Sequence, residues 1–85
     1  MTQLFTLVTR SNNGTFIDKV TVSTNLDFCR FILQAMVYAN KNVTRAEVLE
    51  GNRDYIGDFR VKPLVQYFTD NERNLVRGEY ENNKS

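Results

Sequence analysis

The chain lacks histidine and tryptophan, and it has a single cysteine, Cys29, and a single proline, Pro63. Histidine is the side chain that most often acts as a general acid or base near neutral pH and as a metal ligand. One cysteine without histidine excludes an internal disulfide and a thiolate zinc site within one chain. The four glycines are too dispersed for a phosphate-binding loop. These absences predict a protein that is not an enzyme and that holds no metal or cofactor.

An excess of charge is also missing. Eleven Lys and Arg against ten Asp and Glu leave a net charge of +1, unlike the strongly basic balance of a dedicated nucleic-acid domain. The first residues do not show the pattern of a signal peptide, which is a basic start followed by a long apolar segment. The longest apolar stretch is also shorter than the ~20 residues that cross a bilayer. The sequence predicts one cytoplasmic domain over 1–85, with no membrane association and with 81–85 as a frayed polar tail.

The most apolar stretch is Leu26–Ala39, where eleven of fourteen residues are apolar. Its polar residues recur at steps of three and four, which predicts a helix with a narrow polar stripe. Thr24 or Asn25 suits the N-cap. The segment 40–42 suits the other end, because Asn tolerates the left-handed conformation of a C-terminal cap. The stripe, continued one turn past the helix, comprises Asp27, Arg30, Gln34, Tyr38 and Lys41.

Two runs rich in Val, Ile, Thr and Phe precede the helix, at Gln3–Arg10 and Thr15–Ser23. Asn13 and Gly14 between them favour a tight turn, so the runs predict a β-hairpin. The first run is apolar on both faces, which is typical of an interior strand. Three alternating residues of the second run are expected to face the helix: Phe16, Val20 and Val22.

After the helix, two interpretations of 44–50 remain open. A capping-box pattern favours a short helix. A hairpin is favoured over it, because Gly51 suits a type II′ turn and folding there places Val48 opposite Tyr55. The alternation that continues to Lys62 predicts a strand, which ends at Pro63 because proline lacks a donor for the ladder.

Two further runs, Leu64–Thr69 and Asn74–Tyr80, predict a last hairpin around the turn 70–73. Folding there sets Phe68 opposite Leu75. The alternative is a helix over 70–77, capped by Thr69. Together these elements predict an α+β fold, in which an antiparallel sheet of five or six short strands carries one long helix on one face. The order is ββα followed by two hairpins.

The face of this sheet away from the helix is the predicted binding surface. Aliphatic and charged side chains lie together there, and such a mixture favours contact with another protein. The candidate contact residues are Arg45, Ile56, Arg60, Lys62 and Arg77. Their placement depends on strand register, because a slip of one residue turns a side chain to the other face.

The chain is short, contains ten asparagines, lacks His and Trp, and is nearly neutral in charge. In these respects it resembles small accessory proteins encoded by bacteriophages. The resemblance implies a non-enzymatic protein that binds and inhibits or redirects a host factor such as a defence enzyme. A small-ligand sponge or a structural subunit is a further alternative. A homodimer is compatible with each, since the apolar helix surface is broader than a few strands can cover.

Binding of nucleic acid is another alternative, because aromatic residues stack on bases beside cations that contact phosphates. Alternation nevertheless places Tyr55 and Phe59 on the face opposite Arg60 and Lys62, which separates stacking from phosphate contact. The candidate residues are Arg53, Tyr55, Phe59, Arg60, Lys62 and Tyr67.

Overall fold

The described part of the chain contains five strands and one helix. The computed structural model describes residues 3–54 and 62–78. Its elements in chain order are β1 (Gln3–Arg10), β2 (Phe16–Thr24), α1 (Leu26–Ala39), β3 (Arg45–Glu50), β4 (Val65–Thr69) and β5 (Leu75–Gly78). The strands form one antiparallel sheet in the order β2-β1-β3-β4-β5. The predicted α+β fold is confirmed, with ββα followed by two hairpins that share β4.

The hydrophobic core lies between α1 and one face of the sheet. Cys29, Leu33 and Val37 follow one another at single-turn spacing along α1, and all three are fully buried. They pack against alternate residues of the interior strands, including Phe5 and Leu7 of β1. Strand β1 is therefore an interior strand, as its apolar character on both faces predicts.

Two titratable side chains belong to this core. The thiol of Cys29 donates to the carbonyl of Asn25 at 3.4 Å, and burial raises the pKa of this thiol. Burial also raises the pKa of the Tyr67 phenol, although the nearby charges of Arg30 and Arg77 oppose that shift. Both groups are therefore held in their neutral forms.

We expect the free energy of unfolding to decrease at alkaline pH. An acid whose folded pKa is raised contributes stability that is fully present below its unfolded pKa and is lost as pH rises through the folded pKa. Urea denaturation across alkaline pH should show a shallower decline for Cys29→Ala than for the unchanged chain. Equal slopes for the two chains would contradict a titrating Cys29.

The two ends of α1 are stabilised differently. At the start, the side-chain oxygen of Asn25 accepts from the backbone N–H of Phe28 at 2.8 Å, which confirms one of the two predicted caps. At the other end, the predicted left-handed asparagine is wrong, because Asn40 is extended with φ −141°. Carbonyls at that end are bound instead by the side chain of Arg73, from the turn between β4 and β5.

The β1–β2 hairpin closes with a type I turn followed by Gly14 in the left-handed region, at φ +88°. A bulge near its end places Phe16 opposite Arg10, on the face away from α1. The expectation that Phe16 faces the helix is therefore wrong. The neighbouring Ile17 packs against the core in its place.

Strand β3 lies at the centre of the sheet, so the short helix considered for 44–50 is not formed. Its Val48 has Leu7 on one side and Val65 on the other. The predicted pairing of Val48 with Tyr55 is therefore wrong. Gly51 does have positive φ, at +84°, but β4, which pairs with β3 on the side away from β1, begins only at Val65. The predicted strand before Pro63 falls largely on 55–61, outside the described residues.

The last hairpin is one residue out of the predicted register. Phe68 pairs with Val76 rather than with Leu75. The reason is the turn, in which Arg73 takes the left-handed region at φ +65° and occupies the position that Gly14 has in the first hairpin. This extra turn residue reverses the faces of β5, so that Arg77 lies opposite the core residue Tyr67. The helix considered for 70–77 is not formed.

Candidate functional site

The polar stripe of α1 faces the β4–β5 hairpin. The side-chain amide of Gln34 donates to the carbonyl of Arg73 at 2.8 Å and accepts from the backbone N–H of Leu75 at 3.0 Å. Arg30 donates to the carbonyl of Leu75 at 2.7 Å. Gln34 and Arg30 thus hydrogen-bond to backbone groups of the hairpin that a further strand would otherwise bind. They join the helix to the edge strand β5.

Arg73, from the turn of the same hairpin, contacts the end of α1. Helix ends leave backbone carbonyls without intrahelical partners, and a cation there also interacts favourably with the helix dipole. The guanidinium of Arg73 reaches several such groups from one position. It donates to the carbonyls of Val37, of Asn40 at 3.0 Å, of Lys41 at 3.0 Å and of Val43 at 3.4 Å.

Although Arg30 and Gln34 of the polar stripe contact the hairpin, another side of α1 exposes apolar side chains to water. Phe28 is 50% exposed and Phe31 is 67% exposed, and their ring centroids lie 5.9 Å apart. Exposed alanines continue the same side of the helix at the following turns. We call this surface the outward face of α1; it comprises Phe28, Phe31, Ala35 and Ala39.

The sequence predicts that α1 has more apolar surface than the sheet covers, but it does not locate this surface. An amphipathic helix normally turns its polar side to solvent, and α1 does not follow that rule. A signal was present, since a fourteen-residue helix with eleven apolar residues has more apolar surface than one sheet face covers. The sequence does not show which apolar residues are left outside.

The predicted contact residues do not share one surface. Arg45 is half-buried on the face away from α1, with its guanidinium 5.6 Å from the centre of the Phe68 ring. Arg77 is exposed but lies on the helix side of the sheet, which corrects its predicted placement. Lys62 is exposed. Ile56 and Arg60 lie outside the described residues, and the binding role of all five stays a prediction.

The centre of the face away from α1 is not an open surface. Val8 and Leu49 point to that side, and they are 0% and 2% exposed. The hydroxyl of Thr6 donates to the carbonyl of Gly51 at 2.7 Å and accepts from the N–H of Arg53 at 2.9 Å. The expectation that this whole face is free for a partner is therefore wrong at its centre.

The nucleic-acid alternative loses one of its aromatic residues. Tyr67 is 9% exposed and belongs to the core, so its ring is not available to stack on a base. Tyr55, Phe59 and Arg60 lie outside the described residues. The described part of that alternative is reduced to Arg53 and Lys62.

An open depression of about 500 Å³ lies beside the end of α1. The buried hydroxyl of Thr44 at this place has no hydrogen-bond partner among the described residues. Its lining combines amide and hydroxyl groups with apolar surface, a mixture that singles out no class of small ligand. The lining residues are Ser11, Asn12, Ile17, Asn40, Lys41, Asn42 and Thr44.

Within 3–54 and 62–78, no group of three His, Cys, Asp or Glu residues is placed to hold a metal ion. Within the described residues, no helix is both long enough and apolar enough to cross a membrane. Comparisons of the chain with known protein families, curated proteins and solved structures find no match.

Proposed function

We propose that this protein is a small non-enzymatic binding protein that engages another protein through the outward face of α1. The observation that carries the proposal is the exposure of two neighbouring phenylalanines, Phe28 and Phe31, on a helix whose Arg30 and Gln34 bind the β4–β5 hairpin. Aromatic residues are enriched at the centres of protein interfaces. Their exposure in the isolated chain favours a partner that covers them.

The spacing of these residues suits one mode of recognition. Phe28, Phe31 and Ala35 are separated by one helical turn each, which is the pattern of anchors that a helix places in an apolar groove. Burying a phenylalanine contributes about 1.5 to 3 kcal/mol. The two rings together are sufficient to dominate an interface in which a few residues provide most of the binding energy.

The partner that we propose is a host protein with an apolar groove of helix width. This follows the resemblance in composition to bacteriophage accessory proteins, which implies that the chain inhibits or redirects a host factor. A ligand that fills a functional groove competes with whatever that groove normally binds. Inhibition by occupancy requires no catalytic group in the inhibitor.

Capture from bacterial lysate tests the proposal. We expect a stoichiometric protein to bind the unchanged chain and to be lost, by tenfold or more, with the double variant Phe28→Ala and Phe31→Ala. The binding free energy lost with two buried aromatic side chains exceeds the ~1.4 kcal/mol that corresponds to a tenfold change in affinity.

The matched control is Val76→Ala. Val76 is 49% exposed but faces away from α1 beside Phe68, so its removal should leave capture unchanged. Equal capture by the double variant, or loss with Val76→Ala alone, would contradict binding through the outward face. Far-ultraviolet circular dichroism of each variant verifies that the helix and sheet are retained.

A further inference from the structure

The two edges of the sheet differ in how their backbone groups are covered. At the β5 edge, the N–H and carbonyl of Leu75 are bound by Gln34 and Arg30. At the opposite edge, β2 is nine residues long, and within 3–54 and 62–78 no strand pairs with its outer side. An uncovered edge strand is a template for pairing with another strand.

Two hydrogen bonds show which backbone groups of β2 point away from β1. The carbonyl of Asp18 accepts from the hydroxyl of Thr9 on β1 at 3.2 Å. The N–H of Lys19 belongs to the same peptide and therefore points away from β1, where it donates to the Asp18 carboxylate at 2.8 Å. Outward groups alternate along a strand, so the N–H of Thr21 also points away from β1.

The β2 edge also carries exposed apolar side chains. Phe16 is 44% exposed and Val20 is 38% exposed, and the register places them on opposite faces of the sheet. Natural edge strands are usually short or carry charges that discourage pairing. Here Asp18 and Lys19 are the only charged residues among the nine of β2.

We propose that the β2 edge pairs antiparallel with β2 of a second copy of this chain, centred on Val20. In that register Val20 lies opposite its own counterpart, Lys19 opposite Thr21 and Asp18 opposite Val22. The Lys19 N–H, which donates to the Asp18 carboxylate in the single chain, donates to the Thr21 carbonyl of the second copy instead. No like charges face each other, and apolar side chains meet on the axis. Self-complementarity of this kind is what a twofold dimer requires.

The dimer has a defined shape. A twofold axis that relates two antiparallel edge strands is perpendicular to the sheet, so both copies contribute to one continuous sheet. Both α1 helices then lie on the same side of that sheet. This pairing uses the β2 edge and not the outward face of α1, so it is independent of the proposed function.

The mass in solution, measured by sedimentation at micromolar concentration, tests the pairing. We expect the mass of two chains for the unchanged protein. Because Val20 meets itself on the axis, Val20→Lys and Val20→Glu should each give the mass of one chain, and an equimolar mixture should restore the mass of two. A monomeric unchanged protein, or dimers that persist in both single variants, would overturn the proposal.

Thr21 provides a second pair of variants that does not depend on Val20. Thr21→Pro removes an outward N–H without removing a donor to β1, and the proline ring obstructs the edge. Thr21→Val keeps that N–H and loses only the side-chain hydrogen bond to Asn52, which is 3.1 Å long. We expect a monomer for Thr21→Pro and a dimer for Thr21→Val. The same mass for both would place the contact between copies elsewhere.

Discussion

Replacing Arg73 with alanine should lower the free energy of unfolding by about 2 to 3 kcal/mol, since a hydrogen bond to a charged group contributes about 1.5 to 3 kcal/mol. Its guanidinium is the contact between the β4–β5 turn and the carbonyls at the end of α1. Because Arg73 is partly exposed, the combined contribution of these hydrogen bonds to the free energy of unfolding stays within that range. Urea denaturation followed by circular dichroism measures the change.

Two further variants separate the side chain of Arg73 from its backbone. Arg73→Gly also lacks the guanidinium but relieves the left-handed conformation at φ +65°, which costs about 1 to 2 kcal/mol for other residues. It should therefore be about 1 kcal/mol more stable than Arg73→Ala. Arg73→Lys keeps the charge and loses the planar set of donors. If Arg73→Lys were as stable as the unchanged chain, charge alone would explain the contact.

Replacing Leu33 with alanine should lower the free energy of unfolding by about 3 kcal/mol, within the range of buried leucine truncations. Leu33 is fully buried at the middle of α1, in contact with the core cluster. The loss combines reduced apolar burial with a cavity that the surrounding strands do not fill. For a small domain, whose total stability is about 5 to 15 kcal/mol, it is a large fraction and lowers the thermal midpoint accordingly.

Phe31→Ala is the matched control on the same helix. It removes a larger side chain than Leu33→Ala does, but Phe31 is 67% exposed. Its effect on the free energy of unfolding should stay within about 0.5 kcal/mol, as for surface substitutions in general. A loss comparable to that of Leu33→Ala would show that the Phe31 ring is buried in solution, and it would contradict the assignment of the outward face.

Local patterns predicted the elements well because their causes are local. The bounds of α1, Leu26–Ala39, are those that its apolar stretch and its cap Asn25 indicate. The strands β1 and β2 follow from runs rich in Val, Ile, Thr and Phe and from a turn that contains Gly14. The positive φ of Gly51 was also recognised. Each of these depends on residues close together in the chain.

Pairing between distant segments was predicted less well. Val48 and Val65 are seventeen residues apart and meet in adjacent strands, and no local turn signal indicates that pairing. The register of the last hairpin depends on one residue, Arg73, taking a conformation typical of glycine. Its hydrogen bonds to the end of α1 compensate for that conformation, so the cause is a tertiary contact. The predicted faces of β5, and with them Arg77, followed the wrong register.

The sequence by itself determined that one helix lies on an antiparallel sheet, because periodicity and caps are properties of neighbouring residues. Only the tertiary structure decided which side of that helix meets water. Gln34 and Arg30 find unpaired backbone groups of β5 within hydrogen-bonding distance, and satisfying those groups turns the polar stripe toward the sheet. Phe28 and Phe31 are exposed as a consequence, and the candidate binding surface follows from that exposure.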